Sequence, residues 1–494
     1  MSKKKRRKTK QRKRKQKAQT KQQSKAIEKR KQERLANPRP EKCPTQQAAF
    51  PLPDPVQGMV ARLEQVLDER NAWRLPIIMA GMVLADGRRT ASRWFEAARV
   101  KDDWGEFYYV LISVGQQAQT MSQKLLPSFL DRFDTYDSQD RILLALDDSP
   151  TKRFGPEVEG AGVHHNPTPG PADGKWLYGH SWVTLSWLAE HPRWGTLGLP
   201  WKAALYVRED DIEELNAKRT WEFRTKHALG ADLVQETLDG LRKEGSQAQV
   251  WLVADGGYAA RPFLLPVMQA GVTIISRLRK DAKLWDLPPT PSEGQRGRPR
   301  IYGHNRLSLA IRSGHPHGWS QLTYRYRGKR VTREYKTFLA TSRLVRGVIR
   351  VVIVRTESGG WLPFFSTNPE VSAQDILEAV GDRWAIEENF HDVKEVWGAS
   401  QQQVRNVWSN VGCWHLNLWM ISLVELWAWD LPASELCDRS DRPWDDACRR
   451  PSHADRRRAL GRRCLEGELS QLVSAHPDQD QIRPLVEELL KLAL

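Results

Sequence analysis

The sequence predicts an α/β fold built on a mixed sheet, and three observations carry that expectation. Two continuous apolar runs, RILLALDD from residue 141 and QVWLVADGGY from residue 249, have the length of buried strands, and each ends in an acid. Segments with helical spacing alternate with these runs, giving the order strand, strand, strand, helix, strand, helix, strand. Late in the chain, GDRWAIEENFHDVKEVWG (381–398) has the period of a helix that could seat on such a sheet.

Taken in order, the chain begins with a basic arm. Residues 1–40 hold 19 Lys and Arg against Glu28 and Glu33, while the other 454 residues balance at 58 of each sign. The whole net charge of +17 therefore belongs to the arm. Such a segment has too little apolar surface to fold alone, and its natural partner is a polyanion bound through counterion release. No apolar stretch follows the charges, so a signal peptide is not expected. A Pro-rich linker completes residues 1–55. Residues 56–135 read as helical, with Asp86-Gly87 stopping one helix and Thr90 capping the next. This unit carries Arg88, Arg89 and Arg93, and it suits a helix-turn-helix-like DNA reader and a packing domain equally.

Residues 136–280 read as the first part of the sheet core. The runs from 141, 178 and 201 look like a three-stranded meander. Residues 209–243 read as helical, with Lys226 and His227 on a possible DNA side. The strand ending at Asp255 comes next, then a short helix and the strand VTIISRLRK. Residues 281–370 are Pro-, Gly- and Arg-rich and then alternate like β-strands, a β-rich insertion that includes Arg296, Arg298, Arg300, Arg325, Arg327, Lys329 and Arg330. Residues 371–430 return to helix. The apolar stretch 411–429 is interrupted by His415, Asn417 and Glu425, so it reads as a buried core helix and not a membrane span. Residues 431–494 are charged and helical towards their end. Five dispersed Cys without a CxxC argue for a reducing compartment, and the spacing of Cys437, Cys448, His453 and Cys464 matches no common zinc module.

The chemistry is expected at the strand ends. Asp147 follows ILLAL and Asp255 follows VWLVA, and groups just beyond strand ends in an open α/β sheet share a crevice. Glu387 arrives on the later helix. Arg383 stands one turn before it, and Lys394 two turns after, on the same face. Three carboxylates with no His or Cys among them form an oxygen-only set suited to Mg²⁺ or Mn²⁺. Taken singly, each signal has an ordinary explanation: an i,i+4 ion pair, a turn aspartate at Asp255-Gly256-Gly257, or structural roles for His164, His165 and His180.

In combination, LLALDDSPTKRFG, WLVADGGY and RWAIEENFHDVKEVWG, with a β-rich insertion before the last, resemble the DDE transposases of bacterial insertion sequences. More narrowly, the chain resembles the class with a Tyr-x2-Arg-x3-Glu-x6-Lys signature. Arg383, Glu387 and Lys394 match it, and Val380 stands where the Tyr would be. The resemblance implies an RNase H-like core in which Asp147, Asp255 and Glu387 bind two Mg²⁺ ions. Asp148 also stands at the strand end, but the family places its first acid directly after the strand, which is Asp147. The resemblance further implies that Arg383 and Lys394 grip the DNA backbone, and Lys152 and Arg153 suit a phosphate contact. The implied partners are double-stranded DNA, as inverted repeats and as target, and a second copy of the chain on paired ends, in the bacterial cytoplasm.

Overall fold

A computed structural model describes residues 50–133, 141–166, 174–290, 298–439, 444–446 and 448–474. The basic arm, Arg296 and the last 20 residues lie outside them.

Helices come first. The described chain opens with α1 (Asp54–Glu64), α2 (Arg74–Leu84), α3 (Ala91–Ala97) and the 30-residue α4 (Trp104–Phe133). Helix α2 ends just before Asp86-Gly87. Thr90 caps α3 by accepting from the Arg93 amide. The strands follow as β1 (Arg141–Lys152), β2 (Gly162–His165), β3 (Trp176–His191) and β4 (Gly195–Tyr206). The predicted helical stretch 209–243 is split. A short helix ends at Asn216, and α5 (Lys226–Lys243) restarts behind a Thr225 cap. Strands β5 (Gln249–Ala254) and β6 (Thr273–Arg277) flank a short helix.

One sheet organises the core. Strand β1 pairs antiparallel with β3, and β3 with β4, so the expected meander forms with β2 added to its rim. On its other side β1 pairs parallel with β5, and β5 with β6. Residues 281–370, expected as a β-rich insertion, provide β7 (Leu284–Trp285), β8 (Arg306–Leu307), β9 (Ser320–Tyr326), β10 (Lys329–Ser342), β11 (Gly347–Arg355) and β12 (Trp361–Ser366). Strand β12 hydrogen-bonds to β6, so these strands prolong the same sheet to 12 members among the described residues.

Both faces of the sheet are covered, which is why its central strands read as continuous apolar runs. Alternate side chains divide between two cores. Leu144, Leu146, Leu252 and Ala254 join the large core, built with α4, α5 and α8 (Val407–Ala428). Ala145, Trp251 and Val253 join a smaller one beneath α6 (Ala373–Asp382) and α7 (Trp384–Glu395). Helix α8 is buried almost throughout, as expected. Among the described residues no helix is long and apolar enough to cross a membrane. Helices α4 and α8 touch through glycines, where a Cβ on Gly412 would lie 2.1 Å from the Leu111 carbonyl oxygen. A final helix, α9 (His453–Ser474), packs against α8 and α2.

Candidate active site

Strand parity decides which acids can meet. Leu146 and Ala254 are register partners in the parallel pair β1–β5, so Asp147 and Asp255 follow them side by side. Both fall on the alternation of Ala145 and Val253, the face that α7 covers. Asp148 falls on the opposite face. There its carboxylate takes Lys226 Nζ at 2.5 Å and the Tyr258 hydroxyl at 3.1 Å. This separation leaves Asp147, and not Asp148, facing the helix that carries Glu387.

Asp147 is largely buried. Its Oδ1 accepts the Asp148 amide at 2.8 Å and its Oδ2 accepts Arg383 Nη1 at 2.8 Å. The same Arg383 nitrogen lies 3.3 Å from Glu387 Oε1. Arg383 sits at the junction of α6 and α7, so the predicted single helix has a break at this residue. Burial pushes the Asp147 carboxyl up to about 7. Arg383 opposes that shift, whereas the negative charges of Asp255 and Glu387 add to it. The three acids thus share one field. Asp255 also does the turn work foreseen for it, its Oδ2 accepting the Gly257 amide at 3.0 Å and capping the turn Gly256–Tyr258.

The donor set fits a hard divalent cation, being carboxylate oxygen with no imidazole or thiolate. As the side chains stand, no three His, Cys, Asp or Glu among the described residues converge closely enough to hold an ion. The positive charge between Asp147 and Glu387 is the Arg383 guanidinium itself.

The predicted cations divide. Lys394 projects beside the acids and donates to Ser149 Oγ at 2.7 Å. Burial lowers its pKa, with Glu395 and Glu387 acting the other way. Together with Asp148, Lys152, His391 and Glu387 it lines a groove of about 570 Å³. Arg153 departs from its expected phosphate contact. It is 7% exposed, and its guanidinium donates to the Ser400 and Gln402 carbonyls, each at 3.0 Å, and to His180 Nδ1 at 3.2 Å. Burial lowers it to about 10 and pushes His180 down to about 3, which supports a structural role for that histidine. Arg89 behaves alike, its side chain donating to the Val396 carbonyl and its amide to Gln401. Both arginines therefore fix the loop that follows α7. Val380 is half-buried against the smaller core.

Ser149 and Tyr258 were not singled out from the sequence, and Lys226, expected on a possible DNA side, pairs with Asp148. The two-residue alternation of β1 was the available signal, because it forces Asp147 and Asp148 apart and puts Ser149 in line with Asp147.

Comparison with known proteins places the chain. A search among curated proteins returns no match. Among solved structures, the chain is similar to a piggyBac transposase synaptic complex with hairpin DNA, at 10% identity and a TM-score of 0.33, over 85% of this chain and 74% of that one. A family profile described as DDE superfamily endonuclease matches residues 62–338. The matched span includes Asp147 and Asp255 and stops short of Glu387. More than half of the chain lies within that match, and the protein belongs to the DDE superfamily endonucleases.

Proposed function

We propose that this endonuclease is a DNA transposase that cleaves transposon ends and joins the freed 3′-hydroxyl to target DNA. The observation that carries the proposal is the shared placement of Asp147 and Asp255 by parallel register, with Glu387 brought to them on α7. The antiparallel trio β4-β3-β1 followed by the parallel pair β5-β6 supports an RNase H-like core. Asp147, Asp255 and Glu387 would hold two Mg²⁺ or Mn²⁺ ions. Bound there, the ions would supply positive charge to the attacking and leaving oxygens of an in-line phosphoryl transfer.

The chain's own groups do the rest. Arg383 pairs with Asp147 and Glu387. Released from them, it has planar donors suited to a phosphate. Lys394, braced by Ser149, presents a point charge to the backbone, and Lys152 stands on the rim of the same groove. Lys226 and Tyr258 hold Asp148 away, so that β1 offers one carboxylate to the site. The arm of residues 1–40 adds attraction for duplex DNA without reading its bases.

The test is Mg²⁺-dependent cleavage of a duplex carrying the inverted repeats that flank the gene. Asp147→Asn and Glu387→Gln should each lower the rate by at least ~10²-fold, the scale of losing one group that stabilises transition-state charge. A second reading, a DNA-binding protein without catalysis, is favoured by Val380 at the signature Tyr position. On that reading DNA shifts equally in EDTA and in Mg²⁺ and is never nicked.

A further inference from the structure

A groove of about 520 Å³ opens beside the first turn of α7, lined in part by Trp384, Ala385 and Glu388. Arg193, Arg327, Lys329, Arg449 and Arg450 line it, against the carboxylates of Asp382 and Glu388. Asp382 is buried and bonded to Thr196 and Arg325, and Glu388 is paired with Arg450. Arg193 donates to the Leu431 carbonyl, and Arg449 pairs with Asp445. Among the described residues, Arg327 and Lys329 have no carboxylate partner.

Arg327 occupies an unusual backbone position. It and Gly328 form the two-residue turn between β9 and β10, both with positive φ, 52° and 73°. Asn or Gly is the ordinary choice at the first position of such a turn, and an arginine there carries strain on the order of 1 kcal/mol. Its guanidinium stacks 3.5 Å from the ring centroid of Trp384, which is 40% exposed. Stacking leaves the in-plane N–H donors free to meet an anion. Gly381 lets the hairpin come this near, since a Cβ there would lie 3.2 Å from the Tyr326 Cα.

We propose that this groove is a second phosphate-backbone site for nucleic acid, built from the β9–β10 turn, the start of α7 and residues 449–450. The proposal extends the reading of α7 as a DNA-facing helix. Ten residues separate Trp384 from Lys394, which is ~15 Å of helix. At ~3.4 Å per base pair, the two cationic grooves lie about four base pairs apart, with Glu387 between them. The strand that enters the acid centre is thus held on both sides of it.

The experiment measures binding of a fluorescent duplex by the full chain in EDTA, over a series of salt concentrations. Arg327→Gly combined with Lys329→Gln should weaken binding and make the log–log salt slope shallower by about 1.8, about 0.9 for each lost phosphate contact. Arg327→Gly alone should make it shallower by about 0.9 without lowering Tm, because glycine relieves the positive φ at that position. An unchanged slope in either folded variant overturns the proposal. So does an equal fall when the exposed Lys101 and Lys243, which do not line the groove, are both changed to Gln. Cleavage that survives Glu387→Gln would refute the acid assignment alone and leave the groove result standing.

Discussion

Arg153 and Lys152 are adjacent cations with opposite fates. Lys152 is exposed at the end of β1, while Arg153 points inward and satisfies two carbonyls of the loop after α7. Replacing Arg153 with Met should remove the partner of the Ser400 carbonyl and of His180 Nδ1, at a cost of ~1–3 kcal/mol for each buried group so orphaned, while the Gln402 carbonyl keeps the Val404 amide and His180 Nε2 the Glu159 carbonyl. The expected outcome is a lower Tm with an unchanged salt slope for DNA binding. Lys152→Gln should instead make the slope shallower. In the sequence the two read alike, because charge and position do not reveal which way a side chain turns. The alternation of β1 held the answer, since the buried Thr151 has the same parity as Arg153. Asp147 and Asp255, each following an apolar strand, were legible as neighbours at adjoining strand ends, and the parallel register does set them side by side. The Arg383 bridge between Asp147 and Glu387 was not, because it joins residues 236 apart in sequence.

At the scale of elements, the crossing of α4 and α8 is the least forgiving contact. Gly115 and Gly412 meet backbone to backbone, and a Cβ on either would overlap a carbonyl oxygen. Gly412→Ala should therefore cost ~1–3 kcal/mol, as overpacking does, and appear as a lower denaturant midpoint. Both helices were apparent from their apolar spacing, but the crossing was not, since periodicity marks a buried face and not its partner. The same limit applied to β9–β12. Their alternation announced strands, yet the pairing of β12 with β6 depends on residues about 90 positions away in the chain. The Arg327–Trp384 stack was hidden for the same reason.

Across the whole molecule, the end of α7 is tied to the C-terminal helix by a buried polar network. Trp397 donates to His453 Nε2 at 2.8 Å, His453 Nδ1 lies 2.6 Å from Glu425 Oε1, and Arg456 pairs with the same carboxylate. Burial alone would raise the Glu425 pKa, but Arg456 and His453 outweigh it and hold the group at about 2. A depressed carboxylate stabilises the fold above its unfolded pKa and loses that contribution as pH falls through the folded value. The shift from the ordinary 4.5 corresponds to on the order of 3 kcal/mol, present above about pH 4.5 and lost towards pH 2. Unfolding midpoints of the native chain should drop across that window more steeply than those of Glu425→Gln, which starts lower.

The place of β12 in the sheet also governs the order in which a ribosome can deliver a finished enzyme. Asp147 and Asp255 leave the exit tunnel early, but β6 has no neighbour on its outer side until Trp361–Ser366 is made. The third acid follows about twenty residues later, on a helix whose anchor, His453, is later still. At ~5–20 residues per second, an incomplete chain with an open strand edge persists for several seconds. Fragments from synthesis interrupted before Trp361 therefore present a bare edge for aggregation or proteolysis.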